Sequence, residues 1–413
     1  MQQINELFLE ILRAALRGRP FTPTQTLTAD QWQSLVQLAA IHKVDPLLWE
    51  AVYASGALQH TAPELAASVK RQVRQQVILQ TLRTSEFLAL SEALRKAGVD
   101  AIVVKGITCR TLYPRPDHRP SADEDLLIPP EQYDACRKVF ARFGLVTPME
   151  DREAEDSYEV PFRKPGSPLY IELHKQLFPE ASDAYGDLNR FFGGVFERAA
   201  EVTACGGIVR TMAPTDHLFY LICHAFKHFL HSGFGIRQIC DILLFAEHHG
   251  GELDWAQILQ NCRAIRADRF AAAIFAIGQK HLGFDPDRAK YPADWRAIRV
   301  DEGPLLADVL CAGVYGTADD SRPHSSTITL DAVAAQKEGR RARGALLAAA
   351  FPSARDLEGR YPWLKRHPYL LPAAWGSRIL DYARRNRSGS NAAEAMKLGS
   401  ERIGLLKQYG ILK

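Results

Sequence analysis

Two aspartates separated by one residue, Asp123 and Asp125, stand directly before the apolar run Leu126-Leu127-Ile128. On an extended strand alternate side chains share a face, which sets these two carboxylates roughly 6.5–7 Å apart along the backbone. Carboxylates so spaced can grip divalent cations. Magnesium prefers oxygen ligands and keeps positions open for water and phosphate, so the pair suits a metal–nucleotide site. The same residues also make an ordinary solvated acidic turn ahead of a buried strand. Two neighbouring features tilt the balance toward chemistry. Lys105-Gly106 closes the β-branched run 101–104 and opens a helix-like piece, and a glycine at such a turn lets backbone approach a phosphate closely. In Tyr170-Ile171-Glu172-Leu173-His174, Glu172 and His174 share the face opposite Ile171 and Leu173, and Glu172 supplies a third carboxylate.

A second set of groups lies further along the chain. His224 and His228 are four apart on a helical pattern and so share a face. With Asp241 on the following helix they form the kernel of a metal site for a helical hydrolase, or they simply line a cleft or bond between helices. His231, Arg237 and Asp241 could also reach a nucleotide or acceptor from the helical side. The chain has no nucleophile-elbow serine, Walker-type loop or dinucleotide-binding glycine fingerprint.

The elements that must carry these residues are mostly helices. Ile4, Leu7, Phe8, Ile11, Leu12 and Leu16 fall on one helical face, ended by Gly18 and Pro20. Thr28 to Gln31 has the capping-box form and opens a second helix, and Pro46 starts a third. The stretch from Pro63 to Gly98 has no internal Gly or Pro and predicts one long helix capped by Gly98. Strands are expected at 100–104, 126–128, 158–162 and 169–173, with helical pieces at 108–113 and 131–143. Helices return after residue 212, one from an N-cap at Thr215 through Leu230, then Ile236 to His248, then from Trp255. The Ala-rich stretch 344–350 and the Tyr/Trp/Pro-rich stretch 361–375 carry no clear assignment, and 384–391 has the composition of a surface loop. The expected fold class is therefore α+β, a small mixed-sheet core (99–210) flanked by N-terminal (1–98) and C-terminal (211–413) helical regions, and mostly helical overall.

Composition bounds the partners. The chain has 413 residues, 46% hydrophobic and 24% charged, as in a folded soluble protein. Its 51 basic and 48 acidic residues leave a net charge of +3, too near neutrality to favour nucleic acid or anionic lipid, although Arg115, His118 and Arg119 form a local basic patch. Seven scattered cysteines without a CxxC pair argue against a disulfide framework and for a reducing cytoplasm. Neither a secretory signal nor an apolar run of about 18 residues is visible.

The series Val104-Lys105-Gly106, Leu112-Tyr113-Pro114, Arg119-Pro120, Asp123 to Ile128 and Ile171 to His174 resembles the uncharacterised bacterial nucleotidyltransferase family of the polymerase-β-like superfamily. The likeness continues through His217-Leu218, His224, His228, Gly235 to Gln238, Asp241-Ile242 and Asp254-Trp255. It covers roughly residues 30 to 260, with a looser echo in Phe351-Pro352-Ser353 and Tyr361-Pro362. The resemblance implies that Gly106 belongs to a phosphate-cradling turn and that Asp123 and Asp125 are the metal pair, with Glu172 as third acid. It implies two magnesium ions, replaceable by manganese, and a nucleoside triphosphate, ATP by expectation. The nucleoside monophosphate would pass to a hydroxyl or phosphate acceptor on a small molecule, sugar or protein, with release of pyrophosphate. Lys105, Arg119, His174 and Arg237 are then the expected nucleotide partners.

Two residues depart from the superfamily pattern. Ile107 follows the turn glycine, where Gly or Ser is usual. Glu124 stands between the two aspartates, where an apolar residue is usual. An acid there points away from the site, so either the strand begins at the sheet rim or the site has drifted into a nucleotide-binding or partner-binding role without turnover.

Overall fold

The computed structural model of the protein describes residues 2–180, 185–231, 233–312, 367–377 and 401–412. The chain opens with five helices: α1 (Gln2–Leu16), α2 (Ala29–Ile41), α3 (Asp45–Tyr53), α4 (Ala57–Thr61) and the long α5 (Pro63–Lys96). The expected capping box is present, Thr28 and Gln31 exchanging side-chain and backbone bonds at the start of α2. Gly98, in the left-handed conformation at φ +70°, terminates α5.

The middle of the chain supplies β1 (Ile102–Val103), α6 (Ile107–Arg110), β2 (Glu124–Leu127), α7 (Tyr133–Phe143), α8 (Asp151–Asp156), β3 (Glu159–Arg163), β4 (Tyr170–His174), α9 (Val195–Arg198), β5 (Ala200–Ala204) and β6 (Gly207–Thr211). Six strands form one mixed sheet in the order β3-β4-β2-β1-β6-β5. β2 runs parallel to β4 and β1 parallel to β6, while the remaining neighbours are antiparallel. Helices then resume: α10 (Pro214–Leu230), α11 (Ile236–His248), α12 (Trp255–Ala264), α13 (Asp268–Ile277), α14 (Ala293–Arg296) and α15 (Gly303–Ala312).

Strand alternation divides the apolar residues between two cores. Val103, Leu126, Ile171 and Leu173 face one way and pack with Phe87 and Leu90 of α5 and Phe140 of α7. Ile102, Val104 and Leu127 face the other way, into a core that joins α1–α3 to α10–α13 and to Tyr409. His217 of α10 bonds the Val104 carbonyl through Nε2 at 2.8 Å, seating that helix on this second face. Asp125, in phase with Leu127, therefore points toward α10, while Glu124, in phase with Leu126, points toward α5 and α7. The architecture is α+β and mostly helical, as the sequence predicts. Among the described residues, no helix is long and apolar enough to cross a membrane.

The structure departs from the sequence-based expectations in several places. The hairpin of β5 and β6 is absent from that reading because Ala200–Ala204 is mostly exposed and shows no clear apolar alternation. The helical piece at 108–113 contracts to the four residues of α6. Thr215 is not an N-cap: α10 begins at Pro214, and the Thr215 hydroxyl instead accepts a bond from the Asp254 amide at 2.9 Å. Proline at the first helical position lacks the N–H that a cap would satisfy. Residues 368–370 form a 3-10 turn followed by helix at 371–377. The Ala-rich stretch 344–350, Phe351-Pro352-Ser353, Tyr361-Pro362 and the loop-like 384–391 lie outside the described residues.

Candidate active site

Parallel pairing of β2 with β4 puts Asp125 opposite Glu172 in register, and His174 follows two residues on along the same face. One donor atom from each of Asp125, Glu172 and His174 lies within 4.8 Å of the others. Lys105, just after β1, places its ammonium 3.1 Å from Asp125 Oδ2. The His174 ring stands between two carboxylates, Nε2 3.4 Å from Asp125 Oδ1 and Nδ1 3.7 Å from Glu159 Oε2. These are ion-pair separations, and neither ring nitrogen makes a hydrogen bond. Asp123 is half-buried at the mouth of β2, and its carboxylate does not join the group of three.

The electrostatics follow from crowding. Burial opposes the Asp125 charge, but the Lys105 ammonium and the His174 ring overcome it and hold the carboxyl well below its usual range. Glu172 goes the other way. Burial first, then the charges of Asp125 and Asp123, push its carboxyl up to about 9, so it carries a proton at neutral pH. Asp123 thus belongs to the electrostatic cluster even though it stands outside the tight group. The donor set fits a divalent cation. Two carboxylates and an imidazole with orphaned ring nitrogens converge on one point, and a cation there would displace the Glu172 proton. The two carboxylates suit magnesium or manganese, while the imidazole is a ligand more typical of zinc, iron, copper or nickel.

The turn at Gly106 is built around Glu124. Gly106 adopts φ +69°, and a Cβ on it would fall on the Glu124 carboxylate. Glu124 is fully buried, accepts the Ile107 amide at 2.8 Å through Oε2, and pairs with Arg110 at 2.5 Å through Oε1. Burial lifts its carboxyl above the ordinary range despite that partner. Arg110 continues to Ser121 Oγ at 2.6 Å. Glu124 is thus no rim residue: it faces the α5 side and is neutralised there. Ile107 packs in the same core. Both departures from the superfamily pattern serve the fold.

Two helices fix the loop that delivers the aspartates. From α11, Asp241 accepts both Nε and Nη2 of Arg119, at 2.7 and 2.5 Å, and also the Tyr113 hydroxyl at 2.7 Å. Arg237 donates to the Pro120 carbonyl. From α5, Gln80 accepts the Ser121 amide at 2.9 Å and Arg83 donates to the Ser121 carbonyl. Arg119 and Arg237, expected at the nucleotide, are buried in the wall of the site and hold the loop.

His224 and His228 face each other with Nε2 atoms 3.3 Å apart. Asp241 is tied to Arg119 instead of joining them, and among the described residues they belong to no metal-ligand group. Burial pulls both imidazoles down, His228 to about 3. The sequence reading missed three neighbours: Glu159 beside His174, Tyr158 whose ring centroid is 6.5 Å from that of His174, and Lys227, whose ammonium is 6.0 Å from the Tyr158 ring. The helical pairing of His224 and His228 marked the right face of α10, but not what that face meets. A cavity of about 660 Å³ shares Tyr158 with the site and contains none of the ligand set.

The sequence profile of a family described as uncharacterised nucleotidyltransferase matches residues 28–283. That span includes every residue placed in or around the site, from Lys105 to Asp241. No curated protein and no solved structure matches the chain. With more than half of its length matched, the chain belongs to this nucleotidyltransferase family.

Proposed function

We propose that the protein is a divalent-cation-dependent nucleotidyltransferase that moves a nucleoside monophosphate from a triphosphate, with ATP as donor, to a hydroxyl or phosphate group of a small molecule, sugar or protein. The bond from α-phosphorus to the bridging oxygen breaks, the acceptor oxygen bonds to that phosphorus and gives up its proton, and pyrophosphate leaves. The observation that carries this reading is the convergence of Asp125, Glu172 and His174 on one face of paired strands, within a chain of the nucleotidyltransferase family.

Asp125, Glu172 and His174, with Asp123 at the mouth, would hold the cations, two magnesium or manganese ions. When bound, such ions offset the charge on the attacking and departing oxygens and help align them. The protein's own contribution is placement. Lys105 keeps Asp125 ionised and aimed into the cleft, and the loop held by Asp241 and Arg237 fixes the approach of Asp123. Glu124 and Ile107 have structural roles in this fold, which favours turnover over a binding role without turnover. All seven cysteines are free thiols, in keeping with a reducing cytoplasmic setting. Incubating the protein with each of the four ribonucleoside triphosphates, magnesium or manganese, and candidate acceptors tests the proposal. Cation-dependent release of pyrophosphate supports it, and nucleotide binding without turnover across the panel favours the binding role.

A further inference from the structure

We propose that Lys227, on the face of α10 that overlies the carboxylate cluster, anchors the polyphosphate tail of the nucleotide; the inference rests on the nucleotidyltransferase reading. The turn at Gly106 and the cations Lys105, Arg119 and Arg237 are already engaged. The Ile107 amide is bonded to Glu124, Arg119 to Asp241, Arg237 to the Pro120 carbonyl, and Lys105 to Asp125. A triphosphate still requires a cation facing the carboxylates across the cleft.

Geometry points to Lys227. His217 bonds the carbonyl of Val104, the residue before Lys105. Tyr220, His224, Lys227 and His228 then recur at helical spacing on the same side of α10. The Lys227 ammonium sits 6.0 Å from the Tyr158 ring, whose centroid is 6.5 Å from that of His174. Lys227 is half-buried and makes no ion pair among the described residues. Burial pulls its ammonium down, while Glu159, Glu172 and Asp125 pull it back up, which places all three carboxylates within its field. Lysine binds phosphate as a point charge and gains strength where water is partly excluded.

The test is equilibrium binding of magnesium with α,β-methylene-ATP, and separately of AMP, to the full chain. Lys227→Met is expected to weaken the triphosphate analogue about ten- to a hundredfold, the range for a lost charged hydrogen bond, with AMP affinity unchanged. Lys227→Arg is expected to restore most of the loss. Equal affinity of wild type and Lys227→Met for the triphosphate analogue overturns the proposal and leaves the nucleotidyltransferase reading intact. A wild-type protein that binds no triphosphate of any base, with either cation, overturns both. Should Lys227→Met fold poorly, amine acylation of the wild type decides: magnesium tripolyphosphate slows modification of Lys227 several-fold if the anchor is real, and an unchanged rate overturns it.

Discussion

At the scale of single residues, β2 separates a carboxylate of the candidate metal cluster from one that supports the fold. Asp125 and Glu124 are adjacent, both fully buried, yet strand alternation sends them to opposite faces with different partners, Lys105 and Arg110. Replacing Asp125 by Asn is therefore expected to abolish transfer while leaving the fold nearly intact, because losing the Asp125 charge releases Glu172 to ionise and offset Lys105 in its place. Replacing Glu124 by Ala acts on the other link. It leaves Arg110 as an uncompensated buried cation and removes the acceptor of the Ile107 amide. The expected cost is about 3–5 kcal/mol of stability, read as a fall in the denaturant midpoint, and a midpoint shift equivalent to less than about 1 kcal/mol would contradict the buried pair. Gly106→Ala meets the same carboxylate and a left-handed backbone, so a loss of roughly 1–3 kcal/mol is expected by the same measurement.

At the scale of elements, β2 is accurate only because α5 and α11 grip the loop ahead of it. Arg119→Ala is expected to lower turnover and stability together. It strips Asp241 of its two guanidinium bonds and frees the chain that carries Asp123. A variant with full stability and a changed KM for nucleotide alone would instead make Arg119 a nucleotide ligand. Much of this level was legible in the sequence. The capping box at Thr28, the gap-free α5, and the alternation of Ile171-Glu172-Leu173-His174 each have local causes that a sequence displays. The strand pairing did not. Asp125 meets Glu172 across 47 residues, and nothing local dictates that β2 and β4 are parallel neighbours. The bonds of Arg119 were hidden for the same reason: a guanidinium near two aspartates suits phosphate equally well, and nothing local announces a distant Asp241. Lys227 was invisible because its role depends on which face of α10 lies against the sheet.

At the scale of the whole molecule, a small sheet is embedded in helices from both ends of the chain, joined by one continuous apolar core and by the ion pair of Arg17, just past the end of α1, with the buried Glu247 on α11. Within this interior, His42 and His217 are kept neutral by burial, which lowers each to about 4 against carbonyl partners that only partly offset it. Unfolded, each would take up its proton near pH 6.5. The unfolded chain therefore binds more protons than the folded one between these values. This part of the stability is complete above pH 6.5 and is lost as pH falls toward 4, by up to about 1.4 kcal/mol per pH unit for each histidine. Denaturant midpoints measured across that window should fall with acid, and His217→Gln should flatten the slope, whereas an unchanged slope would show that His217 titrates alike in both states. The central claim concerns the cluster that this frame positions. It is tested most directly by pyrophosphate release from ATP in magnesium or manganese, comparing wild type with Asp125→Asn, with water or an added hydroxyl compound as acceptor. The account predicts cation-dependent release by the wild type and its loss, by about a thousandfold or more, in the variant of equal stability. Equal release by both proteins would contradict it.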